Sequence, residues 1–419
     1  MPLAEHDSER AGEMREADFL AGGGEMGERI RLHHWATTPL ARVSDWPQPL
    51  RIAVSLCVKS QLPIIIHWGW PDLIVLYNDA FIPLLGDKHP SALGMRLFEF
   101  WPELRPTIEG MLETVLTKGT GALSEGLLHV YNCRGFLEER YYTVSFNPIV
   151  LESGMPGGSF TLIDNITDRV IGERRLRTLR DLAARSGDVK ETEEACRIAA
   201  GVLCENRYDL PFALLYVIEK DRKVARLVSS VGVDVGSNAS PRIVELADPE
   251  ADTAWPLTRV AGGNEPLRVD HLSQRFGPFS GGPWNDSPKS ALILPITPTG
   301  RDLPEAILVA GISPRRALDD AYLMFLSSIT TEIGAAMARA VAYLSRKGME
   351  DQLRAIVHTI PALAWTANPD GETDFFNQRW LDFAGISIKD VLNWGWAKAI
   401  HPDDLNLLVE YWRSILASG

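Results

Sequence analysis

His401, Asp403 and Asp404 stand close together in the chain and carry atoms that could hold a divalent metal. They also sit at the start of a helical pattern, where neighbouring residues point in different directions and carboxylates satisfy free amide groups. Capping is the better account, and no metal site is expected. Asn78 and Asp79, which follow a strand-like run, are read in the same way as caps of the helix after them. Gly371 is expected to supply a positive φ in a hairpin turn. The four cysteines, Cys57, Cys133, Cys196 and Cys204, include no Cys-x-x-Cys pair and are too scattered for a disulfide framework. Cys196 and Cys204 fall on one helical stretch, as core packing would place them. No Gly-x-x-x-x-Gly-Lys-Ser/Thr phosphate loop occurs. Asp234-Val235-Gly236-Ser237-Asn238 comes nearest to a nucleotide glycine box, but it lacks the second glycine. No catalytic residue is predicted.

Binding is the other chemistry open to these residues. Trp68, Tyr77, Phe81, Phe98, Trp101, Tyr142 and Phe146 belong to stretches that read as a sheet and the helices over it. Their rings could line an apolar cavity for a small molecule, or could simply be core. Trp255, Asp270, His271, Phe276 and Trp284 form a second group, inside a segment rich in Gly, Pro, Asn and Asp from Gly232 to Lys289. Neither group specifies a cofactor.

The elements that must position the first group follow from periodicity. Leu50, Ala53, Val54, Cys57 and Val58 have helical spacing. Pro63 to Trp68 and Leu73 to Tyr77 read as a hairpin across Gly69-Trp70-Pro71-Asp72. Helical stretches follow at Asp79 to Leu85 and Leu104 to Leu116, then β-rich runs at Gly121 to Tyr131, Glu139 to Val150 and Gly157 to Ile163. That order predicts one antiparallel sheet with helices on one face. From Ile166 to Ala184 the chain reads as a charged helix, with Ile163, Ile166, Val170, Leu176, Leu179 and Ala183 near heptad spacing and Glu173 interrupting them.

A second unit opens with a helix over Thr192 to Glu205 and has strands at Phe212 to Glu219, Val224 to Ser230, Ser290 to Ile296 and Ala306 to Ile312. Asp319 and Asp320 suit the start of a long helix. Its stripe of Leu326, Ile329, Ile333, Ala336, Ala340 and Tyr343 resumes at Leu353, Ile356 and Ile360, so the helix is expected to reach Val357. A third unit repeats the start of the first, with strands Ala364 to Ala367 and Thr373 to Phe376 and helices at Gln378 to Phe383 and from about Pro402. The fold class is therefore α+β, with tandem antiparallel sheets flanked and joined by helices. The predicted division is a partly disordered extension at 1–46, a first unit at 47–168, a helical linker at 169–188, a second unit at 189–342, a linker at 343–357 and an incomplete third unit at 358–419.

Composition limits the partners. With 419 residues, 45% apolar and 23% charged, the chain has the makeup of an ordinary multi-domain globular protein. Lys and Arg total 42 against 55 Asp and Glu, a net charge of −13 that repels a phosphate backbone, so no nucleic acid partner is expected. The most apolar runs, Leu62 to Ile66 and Ala306 to Ile312, fall short of the roughly 18 to 20 residues that span a bilayer. Met1 to Glu16 lacks the apolar core of a leader peptide. With so few cysteines, a reducing cytoplasm is the expected compartment and no membrane the expected partner.

Three stretches carry a family resemblance. Tyr77-Asn78-Asp79-Ala80-Phe81, with Lys88-His89-Pro90, Leu93-Gly94 and Trp101-Pro102-Glu103, resembles the first PAS domain of bacterial PAS/GAF sensor histidine kinases. Trp365, Pro369-Asp370-Gly371, Asn377, Trp380, Gly385, Trp396 and His401-Pro402-Asp403-Asp404 are similar to a second PAS class. Leu294-Pro295-Ile296, Val309-Ala310-Gly311 and Ser313-Pro314-Arg315-Arg316 through Tyr322 resemble the end of the GAF domain in the same proteins. The resemblance implies tandem PAS-like and GAF-like domains, loops in the GAF-like unit that cover a small-molecule ligand, and signalling helices that pair as a parallel homodimer. It also implies a kinase module or response regulator as output partner, and a joint at Asp164-Asn165-Ile166-Thr167-Asp168. There Asn165 stands where the family usually has an acid, and Asp164 or Asp168 is expected to substitute for it.

The kinase itself is not expected within this stretch. A phosphoacceptor His needs an acid after it on a long helix, and only His6-Asp7 has that pair, in the polar tail. Gly22-Gly23-Gly24-Glu25-Met26 has no metal-binding partner to make a cyclase signature. Asn132-Cys133-Arg134-Gly135-Phe136-Leu137 is similar to the flavin-adduct motif of blue-light PAS domains, yet it falls at a strand-to-strand turn and carries an extra Gly, so no flavin photochemistry is expected. The loop-rich middle of the second unit has no Cys for a bilin or for a cysteine-dependent reductase. The expected function is a sensory module that transmits through its helices, and its rival is a stand-alone interaction protein with no kinase output.

Overall fold

The computed structural model describes residues 18–133, 136–247, 254–278 and 282–418. The expectations for Met1 to Glu16, and for Arg134 and Gly135 of the flavin-like motif, lie outside these residues.

The first unit begins earlier than the hydropathy suggested. Helix α1 (Gly24–Leu32) and the turns on either side of it bury Leu20, Met26, Ile30, Trp35, Leu40 and Trp46 in the same core as the sheet. Apolar side chains of this size contribute about 1.5–3 kcal/mol each when buried, which fixes the segment against α2 (Gln48–Lys59). Apart from Leu32, which is 69% exposed, the large apolar residues of 18–46 pack into the first unit, so this part of the predicted extension belongs to that unit.

Strands β1 (Ile64–Trp68), β2 (Ile74–Tyr77), β3 (Ala122–Cys133), β4 (Phe136–Val150) and β5 (Pro156–Asn165) form one antiparallel sheet in the order β2-β1-β5-β4-β3. Tyr142, Val144 and Phe146 alternate inward along β4, as a half-buried strand requires. Helix α3 (Arg105–Lys118) lays Ile108, Leu112, Val115 and Leu116 over that face. The cap assignments change. Asp79 caps α1, accepting from the N–H groups of Glu25 at 2.9 Å and Met26 at 2.7 Å, not the helix that follows it. Glycine at position 23 gives α1 no cap of its own. Asn78 turns inward and ties down the chain ahead of β1.

Helix α4 (Thr167–Arg185) leads to α5 (Thr192–Glu205) and the strands β6 (Ala213–Ile218), β7 (Val224–Val231) and β8 (Ile243–Glu245). The predicted stripe on α4 holds only in part: Ile166 and Leu179 are packed, but Leu176 is 68% exposed and Ala183 faces solvent, and the buried face of the helix runs through Ile171, Arg175, Thr178 and Leu182. The cause is that α4 packs into the helical layer of the second unit, where Leu182 and Leu179 join α5 and the long helix.

The segment read as loop contains short elements as well as β8: α6 (Leu257–Ala261), β9 (Leu267–Asp270) and α7 (Leu272–Phe276). With β10 (Ser290–Ile296) and β11 (Ala306–Gly311) they complete a second antiparallel sheet, β8-β7-β6-β11-β10-β9. β10 and β11 are buried on both faces, which explains their unbroken apolar runs. One face meets α5 and the long helix, and the other meets Trp255, Leu257, Val260 and Leu272 from the loop-rich segment.

Helix α8 (Asp320–Thr359) is one uninterrupted element of 40 residues. Asp319 caps it, accepting from Tyr322 N–H at 2.8 Å. It is long and apolar enough to cross a membrane by length and composition, a property that the short apolar runs did not reveal. Leu326, Ile329, Ile333, Met337 and Ala340 are spent on the second core. Beyond Ala340 the helix leaves the second core, with Met349 64%, Leu353 57% and Ile356 50% exposed, until Val357 and His358 meet the third unit.

The third unit pairs β12 (Trp365–Ala367) with β13 (Thr373–Phe376) and adds α9 (Gln378–Ala384) and α10 (Pro402–Ser418). Gly371 has φ +86°, as its turn requires. Asp403 and Asp404 lie within the first turn of α10 and are not its cap. That place falls to His401, whose Nδ1 accepts from Asp403 N–H at 3.4 Å.

Candidate functional site

The first sheet and the helices over it enclose an apolar cavity of about 60 Å³. Phe81, Trp101, Tyr142 and Phe146 line it, together with His67, His129 and Thr161, which the aromatic pattern did not single out. Trp68, Tyr77 and Phe98 lie outside it. Trp68 packs over Gly157 and Gly158 of β5, where a Cβ would come within 2.9 Å and 2.6 Å of its ring. The Tyr77 hydroxyl is turned to His89 Nδ1 at 3.0 Å, and burial pushes it up to about 12. Phe98 carries the Arg105 guanidinium 4.5 Å above its ring.

His67 is the unusual wall residue. It sits two places from Ile65 on the inward face of β1, and its Nδ1 is 3.2 Å from Thr161 Oγ1. Burial pushes it down to about 3, so it is neutral at physiological pH. Burial lowers His129 as well. An ionisable residue inside the run Ile64-Ile65-Ile66-His67-Trp68 was the available signal. A cavity of this size and polarity accepts a guest of a few atoms. Benzene occupies an engineered apolar cavity of about 150 Å³, so a flavin or haem would need the walls to move apart.

The second group does not form one site. Trp255 is core: it lies 4.7 Å from Phe276 and donates from Nε1 to the Ala239 carbonyl at 2.8 Å. Asp270 is exposed and pairs with Arg268 at 2.9 Å. His271 takes a left-handed conformation ahead of α7. Trp284 packs 5.2 Å from Tyr208. Phe276 alone of the five borders an open cleft shared with Ser237, Asn238, Arg242 and Arg275.

Charge is concentrated where the two units meet. Arg174 of α4 reaches Glu139 of β4 at 2.9 Å and Asp209, in the loop before β6, at 2.8 Å; both carboxylates are fully buried. Burial pulls the Arg174 guanidinium down, but Glu139 and Asp209 outweigh it and hold it above its usual range. The expected substitution by Asp164 or Asp168 does not occur: both side chains are exposed. Asn165 instead accepts from the Thr167 N–H at 3.1 Å and hydroxyl at 2.6 Å, and Thr167 Oγ1 in turn accepts from Tyr141 N–H at 2.9 Å. The joint is closed by neutral hydrogen bonds, and the charged contact lies two turns further along the helix.

No family model matches the chain. A curated relative, the uncharacterized protein y4lL of Sinorhizobium fredii, is 41% identical over 66 residues, which make up 16% of this chain and 8% of that protein. Solved structures similar to part of the chain include GAF domains. One, from an Acinetobacter phosphoenolpyruvate-protein phosphotransferase, is 17% identical with a TM-score of 0.30, covering 40% of this chain and 94% of that one. Another, the phycocyanobilin-bound GAF domain of a cyanobacterial phytochrome, is 15% identical with a TM-score of 0.29 over 40% and 94%. A methyl-accepting chemotaxis protein segment is 16% identical with a TM-score of 0.29 over 40% and 99%.

Proposed function

We propose that this chain is the sensory and regulatory part of a cytoplasmic two-component sensor histidine kinase, with PAS-like first and third units and a GAF-like second unit. The observation that carries the reading is the path of α8. It is buried on the second sheet over its first half, then continues without a break to Thr359, where Asn377 donates to the Val357 carbonyl at 3.2 Å and His358 Nδ1 accepts from Gln378 N–H at 3.0 Å. A change in the packing of one unit is thereby delivered mechanically to the next.

Two partners follow from this reading. Met349, Leu353 and Ile356 on the exposed half of α8, with Ile360 just past its end, keep spacings of four, three and four, and a second copy of the chain in parallel covers such a stripe. The output partner is a kinase module or response regulator of the parent system. A small molecule in the first unit, or at the loops of the second, is the input. Neither nucleic acid nor membrane has a place in it.

The coding sequence after Gly419 tests the output half: a completed third sheet, a His-bearing helix and ATP-binding boxes are expected, and a stop codon sinks it. Light scattering tests the other half, with a dimer expected at micromolar concentration.

A further inference from the structure

The buried charges between the first two units belong to neither candidate binding site, and their arrangement singles out Arg174. Its guanidinium is divided between Glu139 of the first sheet and Asp209 of the second unit. Asp209 is also paired with Arg175 at 3.2 Å, so what Arg174 alone does is join the buried Glu139 to it, and a buried carboxylate deprived of its cation is strongly destabilising; both units are thereby bound to the same stretch of α4.

The neighbouring contacts all run toward the start of α8. The Asp209 carbonyl accepts from the Tyr322 hydroxyl in the first turn of α8, and the Arg175 guanidinium lies 4.4 Å above the Tyr322 ring. Just ahead of α8, Arg316 reaches Glu138 at 3.4 Å, and the Arg315 carbonyl accepts from Glu139 N–H at 3.1 Å. Two adjacent residues of β4 therefore touch the chain entering α8, and one of them, Glu139, also reaches its first turn through Arg174 and Asp209. None of these contacts uses a residue of the second sheet.

We infer that the first unit is coupled to α8 directly, by the Glu139–Arg174–Asp209 clasp and the Arg316–Glu138 bridge, along a route that bypasses the second sheet. Helix α8 then takes two inputs at its N-terminal half, one across the clasp and one from its own packing on β10. The use of this coupling in signalling rests on the proposed relay, but the coupling itself is a property of the fold.

Hydrogen exchange on the full chain, followed by mass spectrometry, tests it. Glu139→Gln keeps the shape and removes the charge. Faster exchange is expected both around Glu139 in β4 and at Tyr322 to Leu326, with β10 unchanged. Glu138→Gln should give a weaker change at the same amides, and the double variant a change different from the sum of the two, as coupled sites require. Unchanged exchange at the start of α8 in both variants overturns the coupling, and a change spread over β10 and β11 overturns the bypass. If Glu139→Gln unfolds the first unit, Arg174→Lys decides instead, because an ammonium cannot fork between two carboxylates. With it, faster exchange at Tyr322 to Leu326 supports the clasp, and native exchange there sinks it. A relay that fails, with no response to any input, would leave these exchange patterns standing, so the two failures are distinguishable.

Discussion

Asn78 and Asn377 do the same work in two different units. Each Oδ1 accepts the backbone N–H at the start of its hairpin, from Ile64 at 3.0 Å and from Ala364 at 3.1 Å. Each Nδ2 donates to two carbonyls of the segment before it: Ser60 and Leu62 in one unit, Val357 and Ala362 in the other. Both side chains are fully buried. Asn78→Ala strands one N–H and two carbonyls, each costing about 1–3 kcal/mol if water cannot reach it. A loss of at least that size is expected in urea denaturation of the first unit. Asn78→Asp, which keeps the acceptor but not the donors, should be no better.

The neutral state of His67 makes stability depend on pH. Its folded value lies near 3 and its unfolded value near 6.5, so the unfolded chain binds the proton first. Stability is full above about pH 6.5 and falls below it by up to about 1.4 kcal/mol per pH unit until the folded value is reached. Urea midpoints measured between pH 7 and pH 5 should drop in the native chain. They should drop by less in His67→Gln, and equal slopes would remove His67 as the cause.

The cavity wall offers a different test. Leu84→Ala enlarges an apolar space that already exists and should cost about 2–5 kcal/mol. The enlarged cavity should then take an aromatic guest of benzene's size, raising the melting temperature of the variant and leaving the native chain unaffected. No shift in the variant would mean that the walls collapse inward.

Trp68 and β5 fit each other through the absence of a side chain. A Cβ at Gly158 would lie 2.6 Å from the Trp68 ring and 2.8 Å from the His67 carbonyl, although the backbone there needs no positive φ. Gly158→Ala is therefore a packing insult alone, expected to cost about 1–3 kcal/mol. Trp68→Ala in the same background should recover part of that loss in thermal denaturation.

Much of the scaffold was legible because it obeys a period. The strands of the first sheet, β10, β11 and all of α8 announce themselves through alternation, apolar runs or a stripe. β8, β9, α6 and α7 are three to five residues long and sit among Gly and Pro, so no period could build up. The clasp was hidden for another reason. On a sequence, Arg174 and Arg175 read as the wet face of a charged helix, and their partners lie about thirty-five positions away on either side. Trp255 misled in the opposite direction, since a tryptophan in a loop-rich segment reads as a candidate ligand contact until Phe212 and Phe276 are seen to enclose it.

The exposed half of α8 supports a prediction that separates assembly from folding. Leu353 and Ile356 touch no core, so Leu353→Asp with Ile356→Asp should leave the melting of the first two units within about 0.5 kcal/mol of native, as surface substitutions do. Leu326→Asp, in the buried half of the same helix, should unfold the second unit by placing an unpaired charge in its core. If a second copy covers the stripe, light scattering will find the double variant monomeric at a concentration where the native chain is dimeric. A double variant that stays dimeric would place the dimer contact elsewhere, and a native chain that is monomeric at that concentration would remove the parallel homodimer altogether.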